Sequence, residues 1–384
     1  MSNRISLFYV SLILLFGQSC FSPKPPFQPP HSQTLPLQTT NSQPQTPNLK
    51  PQTPNPKLTN SNSNSKPQTP NSKTLKIRRI STPYPSASAG IITQNQWWII
   101  GDDAQKMLVT PLPLDTPYTY KNLPFQRELK TANTPINSNH NRFKKKYKLD
   151  FEALAQYQDP NNLNHIWAFG SGSKSPYRDT GLYWNFENTQ APTEPFKINL
   201  SPLYEVLQRR SQISPEKWNI EGACIDISQE GALYLLNRLP ATLIKIPLRD
   251  WFRYLEIGSI PPDENIQIKT YTLTQIDGHP SGFSGATYDS SRHSIWFSSS
   301  VEITDDPIHD GEILGSFIGE ISLLSGEINR TPMPLPEDPG TTQKTKLESL
   351  SIGPESNAEK RLFYGTVDND NGGSQLLLIQ LVFD

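Results

Sequence analysis

The sequence predicts an all-β protein, a five-bladed β-propeller preceded by a disordered linker rich in Pro, Asn, Gln and Thr. Three observations predict this fold. Short apolar runs are paired around polar turns, the paired unit recurs five times at a nearly constant spacing, and a β-type segment stands at each end of the repeated part. Such repetition is typical of propellers, in which each unit forms one blade.

The clearest unit lies between Gly282 and Glu302. A strand at Ala286 to Tyr288 is followed by a polar turn at Asp289 to Arg292 and by a second strand at Ser294 to Phe297. Two apolar runs around a four-residue polar turn predict a β-hairpin. Polar residues stand at its entry and its exit, where a buried strand would normally be apolar.

Four other segments repeat this unit: Ser86 to Asp103, Leu149 to Ser173, Asn219 to Arg238, and Lys346 to Asp370. We aligned the five units on the residue before a small Gly or Ala. The aligned residues are Ser88 (or Ala89, in an alternative register), Glu152, Glu221, Ser284 and Glu348. Their successive spacings are 64, 69, 63 and 64 residues. Units of this length fit blades better than solenoid repeats, because they have no Leu or Asn ladder and no capping repeats.

The two ends of the repeated part can close the ring. A strand at 74–80 precedes the first unit and another at 375–383 follows the last, so the two can pair within one blade and remove an open edge. Six blades are the alternative, with a degenerate blade at 111–147 or 240–274. A helix is expected at Leu203 to Arg210, outside the repeat.

The first 20 residues are typical of an export signal. Arg4 precedes an apolar stretch from Ile5 to Gly17 that is too short to span a bilayer. The small residues before Cys20 resemble a bacterial lipobox, which predicts lipidation of Cys20; ordinary cleavage after Ser19 is the alternative. Residues 21–73 predict a disordered Pro-rich tether, and residues 74–384 the propeller domain.

Composition excludes several function classes. The net charge of -1 gives no overall field for nucleic acid, so we expect no nucleic-acid partner and contact with a membrane only through the N-terminal lipid. Two cysteines cannot build a disulfide framework, so packing has to stabilise the domain. The basic run at 142–148 is interpreted as a solvated loop, and the protein is expected to be a monomer.

The repeated position predicts the functional site. In a propeller the first strand of each blade lines the central channel, so Glu152, Glu221 and Glu348 would surround one axis and form the candidate catalytic set. The ends of the hairpins supply candidate metal ligands: Asp102, Asp103, Glu302, Asp368 and Asp370. Converging carboxylates repel each other unless a cation, an Arg or shared protons neutralise them. Oxygen ligands without Cys or His favour a hard ion such as calcium. The alternative is a wet channel with acidic turn residues.

The segments DFEAL, IEGA, GFSGATYD and LESLS, which begin at Asp150, Ile220, Gly282 and Leu347, resemble the phytase-like (esterase-like phytase) propeller domains and related uncharacterised bacterial lipoproteins. This resemblance implies a propeller, export, and metal-dependent hydrolysis of a phosphate or carboxylic ester. Four arginines look scattered rather than clustered, which weighs against a highly phosphorylated substrate. They are Arg142, Arg178, Arg238 and Arg292.

Three functions therefore stay open from the sequence. The leading hypothesis is an exported, lipid-anchored propeller whose acidic channel mouth binds a cation and hydrolyses a phosphoester or carboxylic ester. The second is a non-catalytic cell-surface module that binds a small molecule or a glycan, with a structural cation. The third is a glycoside hydrolase that uses two of the glutamates. Exposed tryptophans near the mouth would favour glycans, but their places in the strands predict that most are core.

Overall fold

The fold is that of a five-bladed β-propeller, as the sequence predicts. The computed structural model describes residues 75–114, 119–124, 136–137, 142–143, 147–187, 194–228, 230–303, 311–337, 344–369 and 373–383. Within these residues, five antiparallel four-stranded sheets form the blades. Cys20, Asp370 and the linker lie outside the described residues, and so do both expected boundaries before residue 75.

The chain enters the fold through β1 (Leu75–Thr82) and then builds the first blade. The strands of this blade are β2 (Ala87–Thr93), β3 (Gln96–Gly101), β4 (Lys106–Pro111) and β5 (Lys121–Pro124). A short hairpin of β6 (Ile136–Asn137) and β7 (Arg142–Phe143) follows. The second blade contains β8 (Phe151–Gln158), β9 (Asn164–Gly170), β10 (Thr180–Phe186) and β11 (Phe196–Asn199).

Helix α1 (Ser201–Ser211) and a 3-10 turn (Pro215–Lys217) lead into the third blade. Its strands are β12 (Ile220–Asp226), β13 (Ala232–Asn237), β14 (Thr242–Pro247) and β15 (Gln267–Thr270). Helix α2 (Leu248–Ile257) and a second 3-10 turn (Asp263–Asn265) stand between its two outer strands. A small hairpin then follows, made of β16 (Gln275–Ile276) and β17 (His279–Pro280).

The last two blades complete the ring. The fourth contains β18 (Gly282–Asp289), β19 (Ser294–Ile303), β20 (Glu312–Ser322) and β21 (Ile328–Pro334). The fifth contains β22 (Ser351–Ile352), β23 (Lys360–Asp368) and β24 (Ser374–Val382), and β1 is its outermost strand. The predicted closure is thus observed: β1 pairs antiparallel with β24, from Leu75 opposite Leu381 to Thr82 opposite Ser374.

The innermost strands β2, β8, β12, β18 and β22 neighbour one another in that order around the channel, and β22 returns to β2. Each blade packs both faces against its neighbours, which is why the second strands are almost continuously buried, as β9 and β13 show. Trp97 and Trp98 show this directly. They are consecutive and both buried, Trp97 in the core shared with the fifth blade and Trp98 in the core shared with the second.

All seven tryptophans are buried, which confirms that the tryptophans of the strands are core residues. The predicted helix at Leu203 to Arg210 is confirmed as α1, whereas α2 was not predicted. Leu203, Leu207 and Trp251 place both helices against the core between the second and third blades. The segments proposed for a sixth blade hold outer strands, short hairpins and α2 instead, and the described residues contain no sixth four-stranded sheet. No described helix is long and apolar enough to cross a membrane.

Candidate functional site

The repeated position has a common backbone geometry. In the first four blades the pairing of the inner strand slips by one residue, and the extra residue is Ser88, Glu152, Glu221 or Ser284. The repeated residue is thus the extra residue of a β-bulge, which settles the register of the first unit on Ser88. Bulges redirect a side chain away from the regular alternation of a strand, and they are common beside functional sites.

The bulged residues fall into two groups. The two serines form hydrogen bonds between neighbouring blades. The Ser88 hydroxyl donates to the Phe151 carbonyl at 2.5 Å, and the Ser284 hydroxyl donates to the Leu347 carbonyl at 2.6 Å. The two bulged glutamates, Glu152 and Glu221, instead line the channel. With Glu348, which stands just before β22, they line one small cavity of about 10 Å³ that we call the neck. A cavity of this size has room for about one water molecule or one ion.

Burial makes the charged forms of these glutamates unfavourable. Burial and the charges of Asp150, Glu221 and Asp102 raise the pKa of Glu152 well above its ordinary value. Burial also raises the pKa of Glu221, although Arg238 opposes this shift. The pKa of Glu348 rises from 4.5 to about 8 through burial, again against an opposing cation. Groups with such shifted pKa values that share one cavity are typical of functional sites.

On one side of the neck, two cations hold Asp150. Lys148 Nζ lies 2.6 Å from Asp150 Oδ1 and 2.6 Å from Asp102 Oδ2, and Arg178 lies 2.8 Å from Asp150 Oδ2. Burial opposes the charge of Asp150, but Lys148 and Arg178 outweigh it and lower the pKa of Asp150. Asp150 is therefore an ionised carboxylate beside Glu152, whose pKa is raised.

On the other side, Arg238 and Lys346 link three carboxyls. Arg238 forms an ion pair with Glu302 and lies 3.5 Å from Glu221, while Lys346 lies 3.0 Å from Glu348 and 3.8 Å from Glu302. Burial acts against the charge of Glu302, but Lys346 and Arg238 lower the pKa of Glu302 overall. The backbone N–H of Gly311 also donates to Glu302, at 2.6 Å.

The hairpin ends after β3 and β23 form the rim. The single N–H of Arg142 Nε is shared between the two carboxylate oxygens of Asp103, at 2.8 and 2.7 Å, and Asp103 also accepts a hydrogen bond from the hydroxyl of Ser86. Asp368 lies near enough for its charge, with those of Asp103 and Asp102, to raise the pKa of Arg142 against the effect of burial. The structure therefore brings Asp102, Asp103 and Glu302 into the mouth and places Asp368 beside Arg142.

Two interpretations of the basic residues are wrong. Arg142 and Lys148 are not members of a solvated loop, because both bind buried or half-buried carboxylates of the mouth. The arginines are also not scattered: Arg142, Arg178 and Arg238 meet at the mouth, and only Arg292 of the four lies elsewhere, on Glu320. The role of Lys346 in the mouth was not predicted from the sequence. A usable signal existed, because Lys148, Asp150 and Glu152 alternate, as do Lys346 and Glu348.

Five cationic side chains pair with the carboxyls that line the neck and the mouth, and these seven carboxyls would exceed the cations by two charges if all were ionised. The seven are Asp102, Asp103, Asp150, Glu152, Glu221, Glu302 and Glu348. Oxygens of Asp102, Asp150 and Glu152 lie within 4.8 Å of one another, although Lys148 already bridges the first two. Asp102 Oδ1 is buried and has no hydrogen-bond partner among the described residues. The donor set is all oxygen, so the residues present fit a hard divalent cation.

Comparison with known proteins identifies a family. A model described as a family of unknown function (DUF6929) matches residues 83–381. The chain belongs to this family. No curated protein matches the chain. The DUF6929 match covers nearly the whole propeller, but it does not bear on the phytase-like resemblance, which stays a prediction.

Solved structures similar to this DUF6929 protein are distant in sequence. A thermostable family-43 glycoside hydrolase matches with a TM-score of 0.43 and 10% identity, over 79% of this chain and 93% of that chain. An α-L-arabinanase mutant from Cellvibrio cellulosa matches with a TM-score of 0.41 and 10% identity, over 76% and 91%. A mutant of the family-43 protein BlXynB from Bacillus licheniformis matches with a TM-score of 0.37 and 10% identity, over 76% of this chain. The chain spans only 50% of that protein's length.

Proposed function

We propose that the neck binds a divalent cation, with calcium as the first candidate, and that the mouth above it hydrolyses a phosphoester or carboxylic ester. One observation carries the proposal: Glu152, Glu221 and Glu348, from three different blades, converge on a cavity of about 10 Å³. All three have raised pKa values. Without a cation such carboxyls have to hold protons, whereas a cation would let them ionise.

The surrounding charges support a cation of two charges rather than a purely protein-based balance. Lys148, Arg178, Arg238 and Lys346 hold Asp150, Glu302 and Asp102 in place around the neck. Glu152 has no ion pair within 4.0 Å in the described part of the mouth, and its carboxyl is the most available ligand. A calcium ion takes six to eight oxygens, so two or more bidentate carboxylates and water would complete its shell.

The bound cation would supply Lewis-acid polarisation of an ester or phosphoryl oxygen. The chain's own residues would do the rest. Asp150, kept ionised by Lys148 and Arg178, would add a fixed negative charge beside the neck, and a neck glutamate that is not a ligand of the cation would accept the proton. Arg238 and Lys346 hold Glu302 ionised on the opposite side, so that the two flanks of the mouth keep a fixed charge pattern. The cations are all engaged by carboxylates, which favours a substrate of low charge over a highly phosphorylated one.

Calorimetric titration tests the cation. Chelator-treated full-length protein should bind one calcium, and Glu152→Gln and Glu221→Gln should weaken binding strongly. Glu359→Gln, at an exposed position in the fifth blade, is the matched control and should bind as the wild type does. The absence of binding by wild-type protein to calcium, magnesium and manganese alike would refute the proposal.

Activity is tested separately, with p-nitrophenyl phosphate and p-nitrophenyl acetate in the presence of the ion that binds. Hydrolysis should disappear in excess chelator and should weaken in Asp150→Asn, while Glu359→Gln should keep it. Cation binding without turnover of either ester would favour the non-catalytic binding module.

The pKa of Glu348 supports a second candidate, acid–base hydrolysis of a glycoside without a cation. A carboxyl with a pKa of about 8 is protonated at neutral pH and can donate a proton to a leaving group. This candidate predicts turnover of aryl glycosides that chelator does not affect and that Glu348→Gln abolishes. Burial of all the tryptophans removes one feature that would have favoured a glycan.

We also propose that the protein is exported and lipid-anchored through Cys20. The proposal rests on the apolar segment and the small residues before Cys20. Expression in a bacterial host followed by detergent partitioning and mass spectrometry of the N-terminal peptide tests it. We expect a diacylglycerol-modified Cys20 in the detergent phase and loss of that partitioning in Cys20→Ser. An unmodified N-terminus beginning at Cys20 would show ordinary signal cleavage instead.

A further inference from the structure

The channel has a second opening, on the face opposite the mouth. Here the later parts of the inner strands and the turns that follow them surround a cavity of about 430 Å³, which we call the funnel. Ile91, Leu154, Ile225 and Ile352 give it aliphatic walls. Its volume lies within the range of small-molecule sites in proteins, which is roughly 300 to 1,000 Å³.

The lining of the funnel is uncharged. None of the described residues that line it is Asp, Glu, Lys, Arg or His. The mouth, at the other end of the same channel, is lined by carboxyls and cations. A charged ligand in the funnel would lose hydration without gaining a partner of opposite charge, so the chemistry of the lining selects an uncharged ligand.

Polar groups are present as well, near the rim. Gln156, Thr287 and Ser290 line the opening. Each inner strand is also the terminal strand of its sheet among the described residues, so one of its edges pairs with no other strand. Such edges present backbone N–H and C=O groups toward the axis. An occupant with hydroxyl or amide groups could use them.

The funnel is a blind pocket rather than one end of an open pore. Ala223 and Ala286 line both the funnel and the neck, and the neck has only about 10 Å³ of free space. A ligand that enters the funnel therefore cannot pass to the mouth. A volume of about 430 Å³ closed on one side suits a small molecule and is too small for a protein segment with its side chains.

We infer that the funnel is a second binding site, for an uncharged and largely apolar small molecule that carries hydroxyl or amide groups. The inference does not depend on the cation or on the hydrolase. It uses a different set of residues on a different face, and the two sites share only the wall between them.

The test uses N-phenyl-1-naphthylamine, a neutral apolar dye that fluoresces when it leaves water. Titration of the full-length protein should give saturable binding of one dye. Thr287→Trp and Gln156→Trp, which fill the funnel from two different blades, should each weaken binding by roughly tenfold or more, because the indole takes the volume that the dye needs. Gln267→Trp, on the exposed outer strand β15, controls for an added indole and should bind normally.

Two additions sharpen the result. Excess chelator or added calcium should leave dye affinity unchanged, which separates this site from the neck. The anionic dye 8-anilinonaphthalene-1-sulfonate should bind more weakly than the neutral dye. The inference is overturned if the wild type shows no saturable binding, if both folded filling variants bind as tightly as the wild type, or if the anionic dye binds the same site more tightly. Circular dichroism of each variant establishes that it is folded.

Discussion

A buried acid with a raised pKa makes stability depend on pH, and Glu348 gives the sharpest case. The pKa of Glu348 is about 8 in the folded protein, against 4.5 ordinarily. Between these two pH values the folded protein keeps a proton that the unfolded chain has released. The free energy of unfolding therefore falls as the pH rises from 4.5 to 8, and the change is complete above 8.

The magnitude follows from the shift. One proton of difference lowers the free energy of unfolding by about 1.4 kcal/mol per pH unit. From pH 6 to pH 8, Glu348 alone should thus cost the cation-free protein about 2 to 3 kcal/mol. Glu348→Gln removes the ionisable group, so the variant should lose this part of the slope. In chelator at pH 8 the variant should then be more stable than the wild type, although it has lost an ion pair with Lys346.

Urea unfolding in excess chelator at a series of pH values measures the slope, because the midpoint and slope of each curve give the free energy of unfolding. Glu359→Gln changes the same functional group at an exposed position and should keep the wild-type slope. Equal slopes for the wild type and Glu348→Gln between pH 6 and pH 8 would refute the reasoning. So would a wild type whose stability rises over this range.

Three further predictions concern the framework. Arg238→Met leaves Glu302 buried without its close cation and should lower the free energy of unfolding, measured in urea, by about 3 to 5 kcal/mol. Arg238→Lys should cost less. A loss below about 1 kcal/mol for Arg238→Met would show that Lys346 alone is enough to stabilise the charge of Glu302. Leu377→Ala should cost about 2 to 5 kcal/mol, because Leu377 is fully buried in the closing blade, and an unchanged urea midpoint would contradict this. Gly319→Ala should lower the melting temperature, because a Cβ at this position would lie 2.4 Å from the ring of Phe297. We expect the resulting strain to lower the free energy of unfolding by about 1 to 3 kcal/mol. A variant more stable than the wild type would contradict this prediction.

Much of the fold could be predicted because each blade repeats one pattern. The hairpin between Gly282 and Glu302 is observed as β18 and β19, and the predicted closure is the pairing of β1 with β24. Helix α2 was not predicted, although Leu248, Trp251 and Tyr254 recur at the spacing of one helical face. It lies between the outer strands of the third blade, within the segment 240–274 that was considered for a degenerate sixth blade.

The candidate site could be predicted only in part. The repeated position identified Glu152, Glu221 and Glu348, and these do converge. Nothing in the sequence distinguishes a bulged residue from an ordinary strand residue, so the bulges at Glu152 and Glu221 were visible only in the pairing of the strands. The cations come from elsewhere: Arg178 enters from the loop between β9 and β10, and its contact with Asp150 depends on the folded geometry.

The funnel illustrates the same limit. Its aliphatic walls belong to inner strands whose sequences look like those of ordinary core strands. The walls enclose a cavity because the channel narrows at Ala223 and Ala286. Small residues in neighbouring inner strands let these strands approach each other closely at the neck. Beyond the neck the inner strands carry larger residues and stand further apart, which leaves the space of the funnel.

The central claim is that the three glutamates hold a cation. Thermal unfolding of the full-length protein at pH 8, in excess chelator and then with excess calcium, magnesium or manganese, tests this claim most directly. Because a ligand that binds only the folded state raises its stability, calcium should raise the melting temperature of the wild type clearly, and that of Glu221→Gln little or not at all. An unchanged wild-type melting temperature with all three ions would contradict the claim that the glutamates hold a cation.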